Sequence, residues 1–189
     1  MSYNNILVEV ANAIMRITIN RPKQLNALNG ETIAELSAAF KAGESNDEVR
    51  TIIVTGTGDK AFVAGADIKE FAEFSVEEGR ELSRKGHQNL FDLVEGLNTP
   101  VIAAINGYTM GGGLEVALAC DTRIAEQQAV LALPEAKVGL LPCAGGTQNL
   151  TLLVGEAWAK RMILCGEQMT AQQAEKIGLV EQVVEKGQA

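Results

Sequence analysis

The sequence predicts an α/β fold in which a largely parallel sheet is flanked by helices. Short apolar runs with strand character alternate with helical patterns along the chain, as expected when helices connect parallel strands. No proline- or serine-rich linker, repeat or low-complexity tract divides the chain, so we predict a single domain over residues 1–189. A chain of 189 residues is long enough to bury roughly 70% of its unfolded surface.

The N-terminal part of the chain carries the clearest strand and helix patterns. Apolar residues alternate with others over 6–10 and 15–20, the pattern of half-buried strands. Asn29-Gly30 opens a helix that continues to about Lys41. The apolar run 51–55 is typical of a strand covered on both faces.

The later elements follow the same alternation. We predict a loop over 56–67, helices over 77–97, 114–120, 145–154, 157–165 and from a capping box at Thr170 to about Gly178, and strands over 101–105, 122–125, 130–133 and 179–184.

Charge and composition exclude several classes of protein. A net charge of −8 and a pI near 4.8 argue against nonspecific binding to nucleic acid or anionic membranes, and no apolar run is long enough to span a bilayer. One histidine excludes a multi-histidine metal site. The three cysteines lack a C-x-x-C pair, and the N-terminus has no secretory pattern, so we expect reduced thiols and a cytoplasmic location.

Two features have ordinary interpretations. The stretch 56–61 matches G-x-G-x-x-A, a variant of the dinucleotide-binding loop, but the residues after it make a poor first helical turn, so we expect a plain turn. The single histidine, His87, lies among polar residues of a predicted helix, and we expect it at the surface.

A glycine run followed by a carboxylate is the first feature that indicates a catalytic site. Gly111-Gly112-Gly113 precedes a predicted helix, where unpaired amides can hold an anion, although a tight helix–sheet contact explains such a run equally well. Glu115 interrupts an apolar stretch, and Glu135 follows another. They form either an acid/base pair or structural ion pairs, for example between Glu115 and Arg123.

These stretches together resemble the crotonase, or enoyl-CoA hydratase/isomerase, family. The order and spacing agree over essentially the whole chain. The matching segments are 20–22 with 26–28, 61–68, 106–107 with 111–115 and 120–121, and 134–135 with 139, 142 and 144–148. The resemblance implies a core of repeated ββα units and an acyl-CoA thioester as substrate.

The resemblance also implies residue roles. The thioester oxygen is expected between the amides of Ala64 and Gly112; Glu115 is the expected base that directs water to C3 of a 2-enoyl-CoA, and Glu135 the acid that protonates C2. No metal or redox cofactor is implied. An enoyl-CoA isomerase that uses Glu135 alone, and an inactive CoA-binding or assembly paralogue, remain alternatives.

The expected substrate-binding segments surround this centre. Asp67 is expected to fix a loop by accepting hydrogen bonds, and Cys143 stands where the best-known hydratases have glycine. The expected substrate or CoA contacts are Lys23, Leu25, Ala64, Gly65, Ala66, Asp67, Ile68, Gly111, Gly112, Pro134 and Cys143. Family members usually continue for several helices beyond this length, so we interpret the C-terminal helical region as absent, and we expect a homotrimer or a dimer of trimers.

Overall fold

Two sheets form the framework of the computed structural model, which describes residues 3–70 and 72–189. The strands of those residues are β1 (Ile6–Ala11), β2 (Ile14–Ile19), β3 (Thr51–Gly56), β4 (Ala61–Val63), β5 (Val101–Ile105), β6 (Tyr108–Met110), β7 (Thr122–Glu126), β8 (Val130–Ala132), β9 (Met169–Thr170) and β10 (Gln182–Val184).

The chain alternates between the two sheets. The larger sheet has the order β1-β2-β3-β5-β7-β10, and all its pairs are parallel except the β1–β2 hairpin. The smaller sheet has the order β4-β6-β8-β9, in which only β8–β9 is antiparallel. Strands β3, β5 and β7 each lead directly into the small-sheet strands β4, β6 and β8. The predicted α/β fold of repeated ββα units is therefore confirmed.

Helices cover the sheets and begin where the sequence provides caps. Asn29 caps the first helix by accepting a 2.9 Å hydrogen bond from the Thr32 N–H. Thr170 and Gln173 form the predicted capping box. The helices of the described residues are α1 (Gly30–Glu44), α2 (Val76–Gly86), α3 (Asp92–Glu95), α4 (Gly112–Ala119), α5 (Gly146–Leu164) and α6 (Ala171–Lys176).

Some predicted boundaries differ from the structure. The helix predicted over 77–97 is interrupted by a π-helical turn at His87–Phe91. The two helices predicted over 145–154 and 157–165 form α5, whose backbone leaves helical geometry at Gly155, with φ 76° and ψ 163°. The sequence patterns do not predict β4, β6 or β9, which are only two or three residues long, and the strand predicted over 179–184 begins only at Gln182. The G-x-G-x-x-A stretch leads into β4 rather than a helix, so its interpretation as a turn is correct.

The buried core extends to the start of α4. Every residue from Gly113 to Ala119 is buried. A Cβ added at Gly113 would lie 2.1 Å from the Val63 carbonyl oxygen, so α4 packs directly on the backbone of β4. Within 3–70 and 72–189, no helix is long and apolar enough to cross a membrane.

Candidate active site

One edge of the small sheet carries the candidate site. Strands β4, β6 and β8 run parallel, so their carboxyl ends lie at the same edge. The segment after β4 contains Ala66, that after β6 contains Gly112, and that after β8 contains Glu135. The topology therefore brings together segments that are far apart in sequence.

Each residue of the glycine run has a different environment. Gly111 has φ 52° and ψ −124°, a conformation that side chains disfavour, and its N–H donates to the Ala132 carbonyl at 2.9 Å. Gly113 contacts the backbone of β4 too closely for any side chain. At Gly112 an added Cβ would meet nothing nearer than the Ala66 nitrogen, at 3.9 Å. Packing therefore explains two of the glycines, whereas the third borders an open space.

Two backbone amides border that space without a protein partner. Leu28 pairs with the segment at Ala66 through hydrogen bonds from its N–H to the Gly65 carbonyl and from the Asp67 N–H to its own carbonyl. This pairing directs the Ala66 N–H away from Leu28. Among the described residues, neither the Ala66 N–H nor the Gly112 N–H, at the start of α4, has an acceptor. The pair can therefore hold a negatively polarised oxygen.

The structure contradicts the expected role of Ala64. Its N–H donates to the Leu25 carbonyl at 3.1 Å and is not free for a substrate. Ala66, assigned only as a substrate contact, has the free amide instead. The sequence Ala64-Gly65-Ala66 has an alanine on each side of its glycine. The pairing of this segment with Leu28 determines that the Ala66 amide, and not the Ala64 amide, is free. No pattern in the sequence indicates this pairing.

Glu115 is buried in the first turn of α4, with 3% of its surface exposed. Its Oε1 accepts hydrogen bonds from the Ala144 N–H at 2.7 Å and the Gly146 N–H at 3.0 Å. Burial raises the pKa of Glu115, while these two amides and His87 oppose the rise. A Cβ at Gly146 would lie 2.8 Å from Oε1, so a side chain there would displace the carboxylate.

The alternative ion pair of Glu115 with Arg123 is wrong. Arg123 is buried and pairs with Glu181, and its guanidinium also donates to the carbonyls of Leu179 at 3.0 Å and Cys120 at 2.8 Å. These contacts hold the segment 179–181 against the end of α4. Glu115 is therefore held by backbone amides, and it forms no salt bridge with a described residue.

Glu135 lies beside Gly111, the first residue of the glycine run. It begins a 3-10 turn directly after Pro134 and is half-buried. Its Oε2 is buried without a hydrogen-bond partner among the described residues, and an added Cβ at Gly111 would lie 3.0 Å from its Oε1. Burial, with a contribution from the charge of Glu115, raises the pKa of Glu135 to about 7. This carboxyl can therefore carry a proton near neutral pH.

Cys143 lines an open cavity and directly precedes Ala144, whose N–H binds Glu115. The residue is exposed, but burial of the thiol raises its pKa, as do the charges of Glu115 and Glu135, while the Ser83 hydroxyl opposes the rise. The cavity has a volume of about 490 Å³ and is lined mainly by α2 and the π-helical turn. Its lining includes Arg80, Ser83, Arg84, His87, Gln88 and Cys143.

The expectation that His87 is a surface residue is wrong in part. Its side chain is 37% exposed, and its Nε2 lies 2.9 Å from Asp92 Oδ1. Its Nδ1 is buried and has no hydrogen-bond partner in the described part of the chain. The π-helical turn carries this ring into the cavity wall, and no periodicity in the sequence indicates such a turn.

A second cavity, of about 280 Å³, lies beside the segment after β2. Lys23 and Leu25 line it together with Lys60, which no pattern in the sequence marks. Asp67 accepts a 3.0 Å hydrogen bond from the Arg21 guanidinium, which confirms it as a loop-fixing acceptor. Ile68 follows it as an exposed residue.

In the described ranges, no group of three or more histidine, cysteine, aspartate or glutamate residues is arranged to hold a metal ion.

Comparison with known proteins identifies the family to which this geometry belongs. The sequence profile described as enoyl-CoA hydratase/isomerase matches residues 9–189. The chain is 45% identical over 185 residues to the short-chain-enoyl-CoA hydratase of Clostridium acetobutylicum, covering 98% of this chain and 70% of that protein. The chain belongs to the enoyl-CoA hydratase/isomerase family.

Other family members agree in sequence and fold. The crotonyl-CoA hydratase of Syntrophomonas wolfei is 44% identical, with 98% of this chain and 71% of that protein covered. Among solved structures, DspI of Pseudomonas aeruginosa has a TM-score of 0.94 at 50% identity, covering 98% of this chain and 75% of that one. An enoyl-CoA hydratase of Bacillus anthracis has a TM-score of 0.92 at 42% identity, covering 96% and 70%. The chain thus spans about 70% of the length of these curated relatives.

Proposed function

We propose that this member of the family is an enoyl-CoA hydratase, which adds water across the 2,3 double bond of a 2-enoyl-CoA. The observation that carries the proposal is the pair of carboxyl groups, Glu115 and Glu135, beside the glycine run that borders two free amides. Relatives named short-chain-enoyl-CoA and crotonyl-CoA hydratase support this substrate class.

The thioester oxygen binds between the N–H groups of Ala66 and Gly112. Attack of water at C3 moves negative charge through C2 and C1 onto this oxygen, and the fixed amide dipoles stabilise that charge as it develops. The loss of one such donor typically costs on the order of 3 kcal/mol. The helix that begins at Gly112 adds its N-terminal partial charge.

Glu115 acts as the base. Because both amide donors bind Oε1, the carboxylate is fixed in one orientation and Oε2 is left to accept a proton from the attacking water. The water oxygen forms a bond to C3 while its proton passes to Glu115.

Glu135 acts as the acid. A pKa of about 7 leaves a large fraction of this carboxyl protonated at neutral pH. Its proton passes to C2, which completes the 3-hydroxyacyl-CoA product, and proton exchange with solvent restores both carboxyl groups. The reaction transfers no electrons to an acceptor, so we expect no redox cofactor, and we expect dialysis against a chelator to leave kcat/KM unchanged.

The test is hydration of crotonyl-CoA by the purified chain in D2O. We expect loss of the conjugated enoyl absorbance and a 3-hydroxyacyl product with deuterium at C2. Glu48 is exposed, so Glu48→Gln is the matched control for glutamine substitutions of the two site glutamates, and this variant should react like the wild type. Movement of the double bond of a 3-enoyl-CoA without water addition would favour an isomerase. Binding of the thioester with neither reaction would favour a CoA-binding paralogue.

We also propose a cytoplasmic trimer or dimer of trimers. Exposed leucines on the 140–141 segment and on α5 support contacts between copies, and the free thiols are consistent with a reducing compartment. These leucines are Leu140, Leu141, Leu152 and Leu164. Light scattering during size-exclusion chromatography tests the assembly, and a clean monomer would contradict it.

A further inference from the structure

The direction of the Ala66 N–H depends on a short bridge between two segments. The Leu28 N–H donates to the Gly65 carbonyl at 2.9 Å, and the Asp67 N–H donates to the Leu28 carbonyl at 2.7 Å. This bridge between Leu28 and Ala66 lies outside the strands of both sheets. Two hydrogen bonds therefore set the direction of the amide, and contacts beyond the bridge decide how firmly that direction is held.

The segment that leads to Leu28 has an unfavourable backbone conformation. Leu25 and Asn26 both have left-handed geometry, with φ 51° and 58°, which residues other than glycine adopt at a cost in free energy. The buried Asn26 side chain offsets part of this cost, because it donates to the Ala61 carbonyl at 2.8 Å and accepts from the Arg21 N–H at 3.0 Å. The segment therefore depends on contacts with its surroundings to keep its shape.

The guanidinium group of Arg21 joins the two segments of the bridge. Its Nη1 donates to the carbonyl of Ala27, the residue before Leu28. Its Nη2 donates to the carboxylate of Asp67, the residue after Ala66, at 3.0 Å. The two paired side chains are only 12% and 21% exposed, so solvent screens their attraction less than that of a surface pair. Because a guanidinium group is planar and rigid, it holds the two acceptors at a fixed spacing.

The amides of Ala66 and Gly112 have to point at the same oxygen atom. A Cβ added at Gly112 would lie 3.9 Å from the Ala66 nitrogen and 4.0 Å from Leu28 Cδ1, so the Leu28 segment also borders the space between the amides. A displacement of that segment therefore turns the Ala66 N–H away from this space. Because the thioester oxygen gains its negative charge only as water attacks, a misdirected amide weakens the transition state more than the bound substrate.

We propose that Arg21 is a positioning residue for hydration, which fixes the direction of the Ala66 N–H by holding Ala27 and Asp67 at one spacing. The inference rests on the proposed hydratase function, because that function places the thioester oxygen at the two amides. In this role Arg21 acts through the backbone of the bridge and does not touch the substrate. Its removal should therefore lower kcat for hydration with little change in KM.

The first test separates kcat from KM with crotonyl-CoA as substrate. Arg21→Gln should lower kcat about tenfold or more, while KM changes by less than about threefold. Arg21→Lys keeps the positive charge but lacks the planar fork that binds both acceptors, so it should lose as much activity. Arg161→Gln removes a guanidinium group that pairs with Glu167 on the surface, and this control should react like the wild type. Wild-type kcat in either folded Arg21 variant would overturn the inference.

The second test measures the binding of a charged thioester oxygen without turnover. Acetoacetyl-CoA ionises to an enolate that places negative charge on its thioester oxygen and absorbs in the near ultraviolet, whereas the oxygen of butyryl-CoA is neutral. We expect Arg21→Gln to weaken binding of the enolate by about tenfold or more, and binding of butyryl-CoA by less than about threefold. Equal losses for the two ligands would show that Arg21 only shapes the pocket, and would contradict the proposed role.

Asp67→Ala separates positioning from a long-range effect of charge. Removing this carboxylate makes the surroundings of the oxygen more positive, so a long-range effect would strengthen enolate binding, whereas loss of the contact with Arg21 should weaken it. Because both substitutions remove the same contact, the double variant should lose no more than about twofold beyond the larger single loss. Additive losses, or tighter enolate binding by Asp67→Ala, would overturn the inference. Thermal melting shows which variants are folded, and Asp67→Ala decides the question if the Arg21 variants are not.

The outcomes distinguish this inference from the proposed function on which it rests. Hydration of crotonyl-CoA by the wild type, with unchanged kcat and enolate binding in folded Arg21→Gln, would overturn the role of Arg21 and leave the hydratase proposal intact. A wild type that binds the enolate without hydrating crotonyl-CoA would overturn the hydratase proposal, while the enolate measurements would still decide whether Arg21 directs the amide.

Discussion

Two glutamates near the same glycine run have opposite environments. Glu115 is deeply buried and receives two backbone N–H donors from residues 144 and 146. Glu135 is less buried, yet its Oε2 has no partner and its pKa is raised to about 7. Burial alone would therefore predict the larger pKa rise for Glu115, the more buried of the two. The number of donors aimed at a carboxylate decides which of the two more readily carries charge and which keeps a proton.

Removing the charge of Glu115 should have the largest effect. In Glu115→Gln the side-chain oxygen can still accept from the Ala144 and Gly146 amides, so we expect the fold to persist while hydration falls about 10³-fold or more. Stopped-assay rates with crotonyl-CoA and thermal melting measure the two effects. Wild-type activity in a folded variant would eliminate Glu115 as the base.

Glu135→Gln should reduce hydration by about 10²-fold or more and change the pH profile. In the wild type, kcat/KM should fall as pH rises through about 7, because Glu135 must carry its proton. It should also fall at low pH as Glu115 becomes protonated, at a pH above the ordinary carboxyl range because burial raises that pKa. The alkaline decline should disappear in the variant. If it persists there, another group is the acid.

The two neighbouring glycines separate catalysis from packing. Gly112→Ala places a methyl group in the space before the Ala66 amide, and we expect kcat/KM to fall about tenfold or more with little change in stability. Gly113→Ala forces a Cβ against the Val63 carbonyl, and we expect the free energy of unfolding to fall by about 1–3 kcal/mol or more. Urea denaturation and steady-state assays on both variants check this contrast. Similar losses of stability in both would refute it.

The smallest expected effect is the pH-dependent change in the free energy of unfolding when Glu135 is replaced. Because the folded-state pKa of Glu135 is raised, its ionisation disfavours the folded state once pH exceeds the unfolded value of 4.5, and the cost is complete above about 7. Glu135→Gln should therefore be more stable than the wild type at pH 8, by at most about 3 kcal/mol, and equally stable below pH 4.5. Denaturation at both pH values measures this. A constant difference would show that ionisation is not responsible.

The sequence was sufficient for the larger sheet, for most of the helices and for the two acids, but not for the smaller sheet. Alternation in 6–10 and 15–20 and the caps at Asn29 and Thr170 are local signals, and the elements form where those signals occur. Glu115 and Glu135 were identifiable because charge is costly in an apolar stretch. The family resemblance then gave their roles, which no pattern in the residues alone could supply.

The features that the sequence did not predict depend on contacts between distant segments. The choice of Ala66 over Ala64 follows from pairing with Leu28, the true partners of Glu115 are backbone amides about 30 residues away, and Arg123 is held by Glu181. The position of His87 depends on a π-helical turn. None of these leaves a periodic or compositional signal.

The parallel strands of the small sheet have a consequence for protein engineering. Because Ala66, Gly112 and Glu135 each follow a different strand of that sheet, each of them belongs to a different connection. A designer could graft a different acid or donor into any one of these connections while leaving the six-stranded scaffold untouched. Such modularity offers a route to new thioester chemistry through short replacements in place of wholesale redesign.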